Sequence, residues 1–173
     1  IGAGPTNPYD HLRQPSGVAW DAQGRLLVTD PGLKALLRFD RAGRRMDVFG
    51  VRTSEPLRVP LGVTVAADGT ILVADTGLKK VLAFGPDGDL RGVYGKPGDL
   101  EGPTDLVASA DGATFWVTDS RKHEVVSFDR KNGTVKARFG KRGMAEREKP
   151  SFNTRRAAEW SSPPAGRGHR PLP

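Results

Sequence analysis

A repeat of 43 to 45 residues constrains this chain more than any other feature of its sequence. Three units follow one another, at 15–50, 60–95 and 103–140. Six positions carry the same residue type in every unit, namely Pro15, Pro60 and Pro103; Gly24, Gly69 and Gly112; Asp30, Asp75 and Asp119; Phe39, Phe84 and Phe128; Gly43, Gly88 and Gly133; and Gly50, Gly95 and Gly140. Self-similarity at a fixed period of this length predicts copies of one supersecondary unit.

Each unit has the pattern of four short β-strands separated by glycine-containing turns. In the first unit the predicted strands are 17–20, 25–29, 35–39 and 45–49. The second and third are nearly continuous apolar runs, which is typical of strands that are covered on both faces. The fourth is the most polar and is therefore expected at an exposed edge.

A four-stranded sheet that returns every 40 to 45 residues predicts an all-β fold, a β-propeller of four-stranded antiparallel blades. One blade cannot bury both of its faces, so neighbouring blades must cover them. An antiparallel sandwich of about twelve strands is the alternative. It is disfavoured because sandwiches do not repeat anchor residues at a fixed period.

The units resemble NHL repeats over residues 15–140. In the first unit the resemblance rests on PSGV at 15–18, QG at 23–24, LVTD at 27–30, LLRFDRAG at 36–43 and FG at 49–50. It implies a ring of six blades, of which three units supply half. The Asn-His-Leu/Arg signature that names the family is replaced by LKA at 33–35, LKK at 78–80 and KHE at 122–124. No specific ligand of the family is therefore carried over.

The segments outside the repeat carry other expectations. Residues 1–14 are a leading segment with no recognisable strand, and 141–173 are a Pro/Gly/Arg-rich tail that is either disordered or, from about Thr154, out of frame. This tail holds eight Lys/Arg against three Glu, out of a net charge of +7, so the body is nearly neutral. Open blade faces are an aggregation hazard. We therefore expect either a truncated propeller or self-association that completes a ring.

An aspartate ends the second strand of every unit, at Asp30, Asp75 and Asp119. These carboxylates either form a ring that binds a metal or substrate, or accept hydrogen bonds from turn amides. The structural interpretation is favoured, because a binding site is usually single whereas this residue returns in each blade. The same turn-forming role is expected at a further set of hairpin residues, Asp21, Asp87, Asp111 and Asp129.

Cationic side chains follow those aspartates and define what we call the basic arc: Lys34, Lys79, Lys80, Arg121, Lys122 and His123. Turns between second and third strands open on one face of a propeller. The basic arc is therefore a candidate site for phosphates, an anionic glycan or an acidic protein surface. Solubilising surface charge is the alternative. RNA binding is a minority interpretation, since these turns lack the aromatic residues on which bases stack.

Several chemistries find no support in the sequence. The absence of cysteine excludes disulfides and thiolate sites, and the three histidines, His11, His123 and His169, are dispersed. No hydrolase, zinc-protease or P-loop motif occurs, and no apolar run has the length of a membrane span. We expect no catalytic residue, metal ligand or cofactor here. Trp20 and Trp116 are expected to pack between blades.

The favoured function is therefore a non-catalytic propeller that acts as a protein-interaction scaffold. One alternative is a fragment of a six-bladed lyase or lactonase whose catalytic residues lie in other blades. A second alternative is anionic-ligand or RNA binding through the basic arc. The cellular compartment cannot be read from the residues, although the family resemblance slightly favours export.

Overall fold

The computed structural model describes residues 7–140, and these form twelve short β-strands in three sheets. The strands are β1 (Val18–Trp20), β2 (Leu26–Asp30), β3 (Ala35–Phe39), β4 (Arg45–Phe49), β5 (Pro60–Val65), β6 (Ile71–Asp75), β7 (Lys80–Phe84), β8 (Leu90–Tyr94), β9 (Pro103–Ala108), β10 (Thr114–Asp119), β11 (Glu124–Asp129) and β12 (Val135–Phe139). The prediction for the tail at 141–173 lies outside the described residues.

Each sheet is one predicted unit and has its four strands in sequential antiparallel order. We call these sheets blades 1, 2 and 3. The strands of blade 1 begin and end within one residue of their predicted bounds. The outer strands β8 and β12 contain only exposed and partly buried residues, as expected for edges. The predicted all-β class and its four-stranded units are confirmed.

The hydrophobic core lies between the blades rather than within them. One cluster joins blade 1 to blade 2, and another joins blade 2 to blade 3. Alternation along β6 explains the division, because Ile71 and Val73 point to blade 1 whereas Leu72 and Ala74 point to blade 3. All five residues of β6 are buried as a result. Blade 2 therefore shows how a fully flanked blade is packed.

Three contacts recur at the joints between blades, and an aromatic side chain makes the first. Phe49, at the end of β4, lies against Gly88 in the β7–β8 hairpin of blade 2, where an added Cβ would clash with the ring. Tyr94 takes the same place in the next joint. Its ring lies 3.5 Å from the Cβ position of Gly133, and its hydroxyl donates to the Arg130 carbonyl at 2.9 Å.

A leucine of each linker makes the second contact, against the glycine that closes the preceding blade. Leu57 fills the space beside Gly50, and Leu100 lies 3.4 Å from the Cβ position of Gly95. Both leucines are almost fully buried, at 3% and 1% exposure. Each lies three residues before the proline that begins the next blade.

A threonine hydroxyl makes the third contact, with a carbonyl on the innermost strand of the following blade. Thr29 donates to the Leu61 carbonyl at 2.5 Å in the first joint. In the second joint a threonine at a different position makes the bond: Thr76, which follows Asp75 whereas Thr29 precedes Asp30, donates to the Pro103 carbonyl. These bonds link a side chain of one blade to the innermost strand of the next blade.

The expected burial of tryptophan between blades does not hold for Trp20, whose side chain is 64% exposed. Trp20 lies on the face of blade 1 that points away from blade 2, and no described blade covers that face. Trp116, on the second strand of blade 3, is partly buried. Among residues 7–140 there is also no helix with the length and apolarity needed to cross a membrane.

Candidate functional site

The aspartates that end β2, β6 and β10 connect each blade to the linker before it. Asp75 accepts hydrogen bonds from the backbone N–H groups of Arg58 at 2.7 Å, Val59 at 3.0 Å and Leu78 at 2.9 Å. The other two carboxylates make the same set of bonds, Asp30 with Arg13, Gln14 and Leu33, and Asp119 with Glu101, Gly102 and Lys122. All three aspartates are at most 1% exposed.

The oxygens of each carboxylate are occupied by hydrogen bonds from backbone N–H groups of the turn and of the linker. A carboxylate that accepts three backbone N–H groups is satisfied without a cation. Within residues 7–140 there is no group of three or more His, Asp or Glu side chains arranged to hold a metal ion. Each aspartate therefore holds the preceding linker against the turn between the second and third strands of its blade.

The hairpin aspartates also bond to backbone amides, but only within their own turns. Asp21 accepts from the Arg25 N–H at 2.9 Å, Asp87 from Asp89 at 3.2 Å, Asp111 from Ala113 at 2.9 Å and Asp129 from Lys131 at 2.9 Å. These turns lie at the opposite end of each blade from the basic arc, because successive strands are antiparallel.

The fixed turns force one residue of each blade into a left-handed backbone conformation. These residues are Lys34, Lys79 and His123, with φ of 54°, 58° and 57°. Non-glycine residues adopt such angles only where the surroundings determine them. Here the preceding aspartate binds the N–H one residue earlier in the turn. Three side chains of the basic arc thus leave the backbone at the same point of three blades.

Linker carboxylates neutralise part of the basic arc. Lys79 pairs with Glu101 at 2.7 Å, and Lys80 pairs with Glu55 at 2.9 Å. The hydrogen bond from Lys79 also holds the pKa of Glu101 below its usual value. Lys122 instead donates to the carbonyls of Gly98 and Asp99. Half of the predicted cations are therefore engaged by the protein itself.

Lys34, Arg121 and His123 are exposed, and no acidic side chain among the described residues pairs with them. The Arg121 stem lies over Gly102, where an added Cβ would come within 2.6 Å of it. Sequence reasoning missed Glu55 and Glu101. The sequence feature that could have indicated these two glutamates is their position in the linkers, because the buried aspartates hold the linkers against these turns.

Comparison with known proteins supports the architecture. Neither a family model nor a curated protein matches the chain. Solved structures do match. A gluconolactonase from Xanthomonas campestris is 28% identical, with a TM-score of 0.60 over 73% of this chain and 48% of that one. The catalytically inactive H270A virginiamycin B lyase from Staphylococcus aureus, with quinupristin, is 16% identical, with a TM-score of 0.64 over 79% of this chain and 44% of that one.

A third match is hydrazine synthase from Kuenenia stuttgartiensis, 16% identical, with a TM-score of 0.62 over 80% of this chain and 41% of that one. The blade order and these likenesses agree. The chain is part of a β-propeller. It spans less than half of each of these three solved structures.

Proposed function

We propose that this part of the propeller is a non-catalytic binding platform of the NHL-repeat kind. Its binding surface is the face that carries the basic arc and the linkers 51–59 and 96–102, and this face binds an acidic segment of a partner protein. The observation that carries the proposal is the state of Lys34 and Arg121. Both are exposed and have no acidic partner among the described residues, whereas Lys79 and Lys80 are neutralised. The unpaired cations flank the neutralised ones in chain order, one on blade 1 and one on blade 3.

The rigidity of the turns supports a binding role. Each turn is held by a buried aspartate, so that its cation is presented from a fixed backbone. A pre-organised surface loses less entropy when it binds than a flexible loop does. Exposed charges contribute modestly to affinity but accelerate encounter with a partner of opposite charge.

Fluorescence anisotropy with labelled poly-L-glutamate at about 50 mM salt tests the proposal. Replacement of both Lys34 and Arg121 by alanine is expected to weaken binding about threefold to tenfold, the effect of two exposed ion pairs. Lys131→Ala is the matched control. Lys131 is an exposed lysine in the β11–β12 hairpin, at the other end of its blade. An equal loss in both variants would contradict the assignment to this face.

Lys79→Ala gives a second control within the basic arc. Because Lys79 already pairs with Glu101, its loss is expected to change affinity less than the loss of Lys34. A parallel titration with labelled oligouridylate separates the macromolecule classes. RNA binding that requires Lys34 and Arg121, without polyglutamate binding, would replace the acidic-protein proposal.

A fragment of a lactone-hydrolysing propeller is a second candidate, and the 28% identity to a gluconolactonase favours it. Its test is proton release from glucono-δ-lactone with added divalent cations, compared with the uncatalysed rate. The platform proposal expects no acceleration by this chain. Acceleration that a chelator abolishes would instead support the lactonase candidate.

A further inference from the structure

The outer faces of blades 1 and 3 each carry large apolar side chains that are exposed. On blade 1 Val18 and Trp20 are 65% and 64% exposed, and on blade 3 Val107 and Phe139 are 57% and 46% exposed. The register pairs Val18 with Val28, whose equivalents in blade 2, Val63 and Val73, are buried against blade 1. The outer faces of blades 1 and 3 therefore present the same residue positions that are buried at the joints between blades 1 and 2 and between blades 2 and 3.

Blade 3 presents one unoccupied half of that joint. Phe139 stands where Phe49 and Tyr94 stand, and Thr118 stands where Thr29 stands. Phe49 is only 6% exposed and Thr29 is 0% exposed, whereas Phe139 and Thr118 are exposed. Gly140, which closes blade 3, has no described linker leucine beside it.

Blade 1 presents the complementary half. Gly43 is the equivalent of the hairpin glycines that receive the aromatic ring, and an added Cβ there has nothing within 4 Å. Leu12 lies three residues before Pro15, as Leu57 lies before Pro60, yet it is 41% exposed. The Ser16 carbonyl corresponds to the Leu61 carbonyl that accepts from Thr29.

Blade 3 has a groove of about 550 Å³ at the position where a linker leucine packs in the internal joints. Its lining includes Thr118, Val125, Phe139 and Gly140. The corresponding residues of blade 2 are Ala74, Val81, Tyr94 and Gly95, and there Leu100 belongs to the same buried cluster. The groove therefore lies where a linker leucine packs in the preceding joint.

We propose that blade 3 of one copy docks on blade 1 of a second copy, head to tail, and that two such joints close a ring of six blades. Phe139 then covers Gly43 of the other copy, Leu12 fills the groove beside Gly140, and Thr118 donates to the Ser16 carbonyl. The occupant is a second copy because one chain carries both halves of the joint.

One residue departs from the pattern of the internal joints. Gly17 and Gly62 bring neighbouring inner strands together, and a Cβ at Gly17 would clash with the Leu61 carbonyl. Blade 3 has Asp105 at this position, and its side chain would occupy space that the glycines leave open in the internal joints. Asp105→Gly is therefore expected to strengthen association.

Sedimentation equilibrium of the full chain up to about 100 µM tests the proposal, because a symmetric dimer must dissociate on dilution. Phe139→Ala and Leu12→Ala are each expected to weaken the dimer about a hundredfold, roughly tenfold at each of two joints. Val93→Ala is the control: Val93 is also 41% exposed but lies on blade 2. A monomer at every concentration would overturn the proposal.

Two further experiments show which faces of the two copies meet. Sensitivity to only one of the two variants would mean that identical faces pair, and this would also overturn the head-to-tail joint. The chain has no cysteine, so cross-linking has no background. Oxidation of a mixture of Phe139→Cys and Gly43→Cys chains is expected to give a covalent heterodimer in excess of either homodimer. A homodimer in excess would refute the arrangement.

Discussion

Replacement of Asp75 by alanine tests the role of the buried aspartates most directly. The change removes the acceptor of three backbone N–H groups, those of Arg58, Val59 and Leu78, at a position that is 0% exposed. A hydrogen bond to a charged group contributes about 1.5–3 kcal/mol. Because such bonds within one cluster are not additive, we expect Asp75→Ala to lower the free energy of unfolding by about 3–5 kcal/mol.

Urea unfolding followed by tryptophan fluorescence and circular dichroism measures this change. The matched control is Asp87→Ala, since Asp87 also accepts a backbone bond but is 52% exposed in its hairpin. Its loss should cost less than about 1 kcal/mol, because water replaces the lost acceptor. Equal effects of the two variants would refute the reasoning from burial.

The same experiment separates the two interpretations of the aspartate series. If the carboxylates serve the backbone alone, a chelator leaves the unfolding midpoint of the wild type unchanged. A wild-type midpoint that falls in chelator and recovers with one divalent cation, with no such response in Asp75→Ala, would mean that Asp75 holds a metal ion, with the amide bonds as a secondary feature.

Two further predictions concern contacts between blades. In urea unfolding at a dilution where the chain is monomeric, Gly88→Ala is expected to destabilise the protein by about 1–3 kcal/mol more than Gly43→Ala, because both glycines have positive φ but only at Gly88 does an added Cβ meet the Phe49 ring; equal losses would contradict the first joint contact. The hydrogen bond from Arg130 outweighs burial and holds the pKa of Asp68 well below its usual range, so this pair stabilises the fold above the unfolded-state pKa of about 3.9 and loses its effect as the pH falls through the folded-state pKa. The difference in Tm between wild type and Asp68→Asn should therefore shrink below about pH 4, and a difference that is constant with pH would exclude this assignment.

The repeat made the strands and the fold class predictable, because the apolar runs and the turn glycines return in register three times. The partners of the basic arc were not predictable in the same way. Glu55 and Glu101 lie in linkers of different length, 51–59 and 96–102, where alignment of the units gives no common register. Only the bonds from Asp75 and Asp119 to linker amides show which linker side chains reach the turns.

The joints illustrate what a repeat sequence leaves open. Phe49 and Phe139 are the same residue at the same place in their blades, yet one is 6% exposed and the other 46%. Leu57 and Leu12 differ in the same way, at 3% and 41%. Nothing in the local sequence accounts for either difference, since burial is supplied by the neighbouring blade. Comparison of equivalent positions in the three blades therefore distinguishes two groups of exposed side chains. Those of the first group are exposed in every blade, and those of the second are exposed only where no described blade lies beside them. Phe139 and Leu12 belong to the second group.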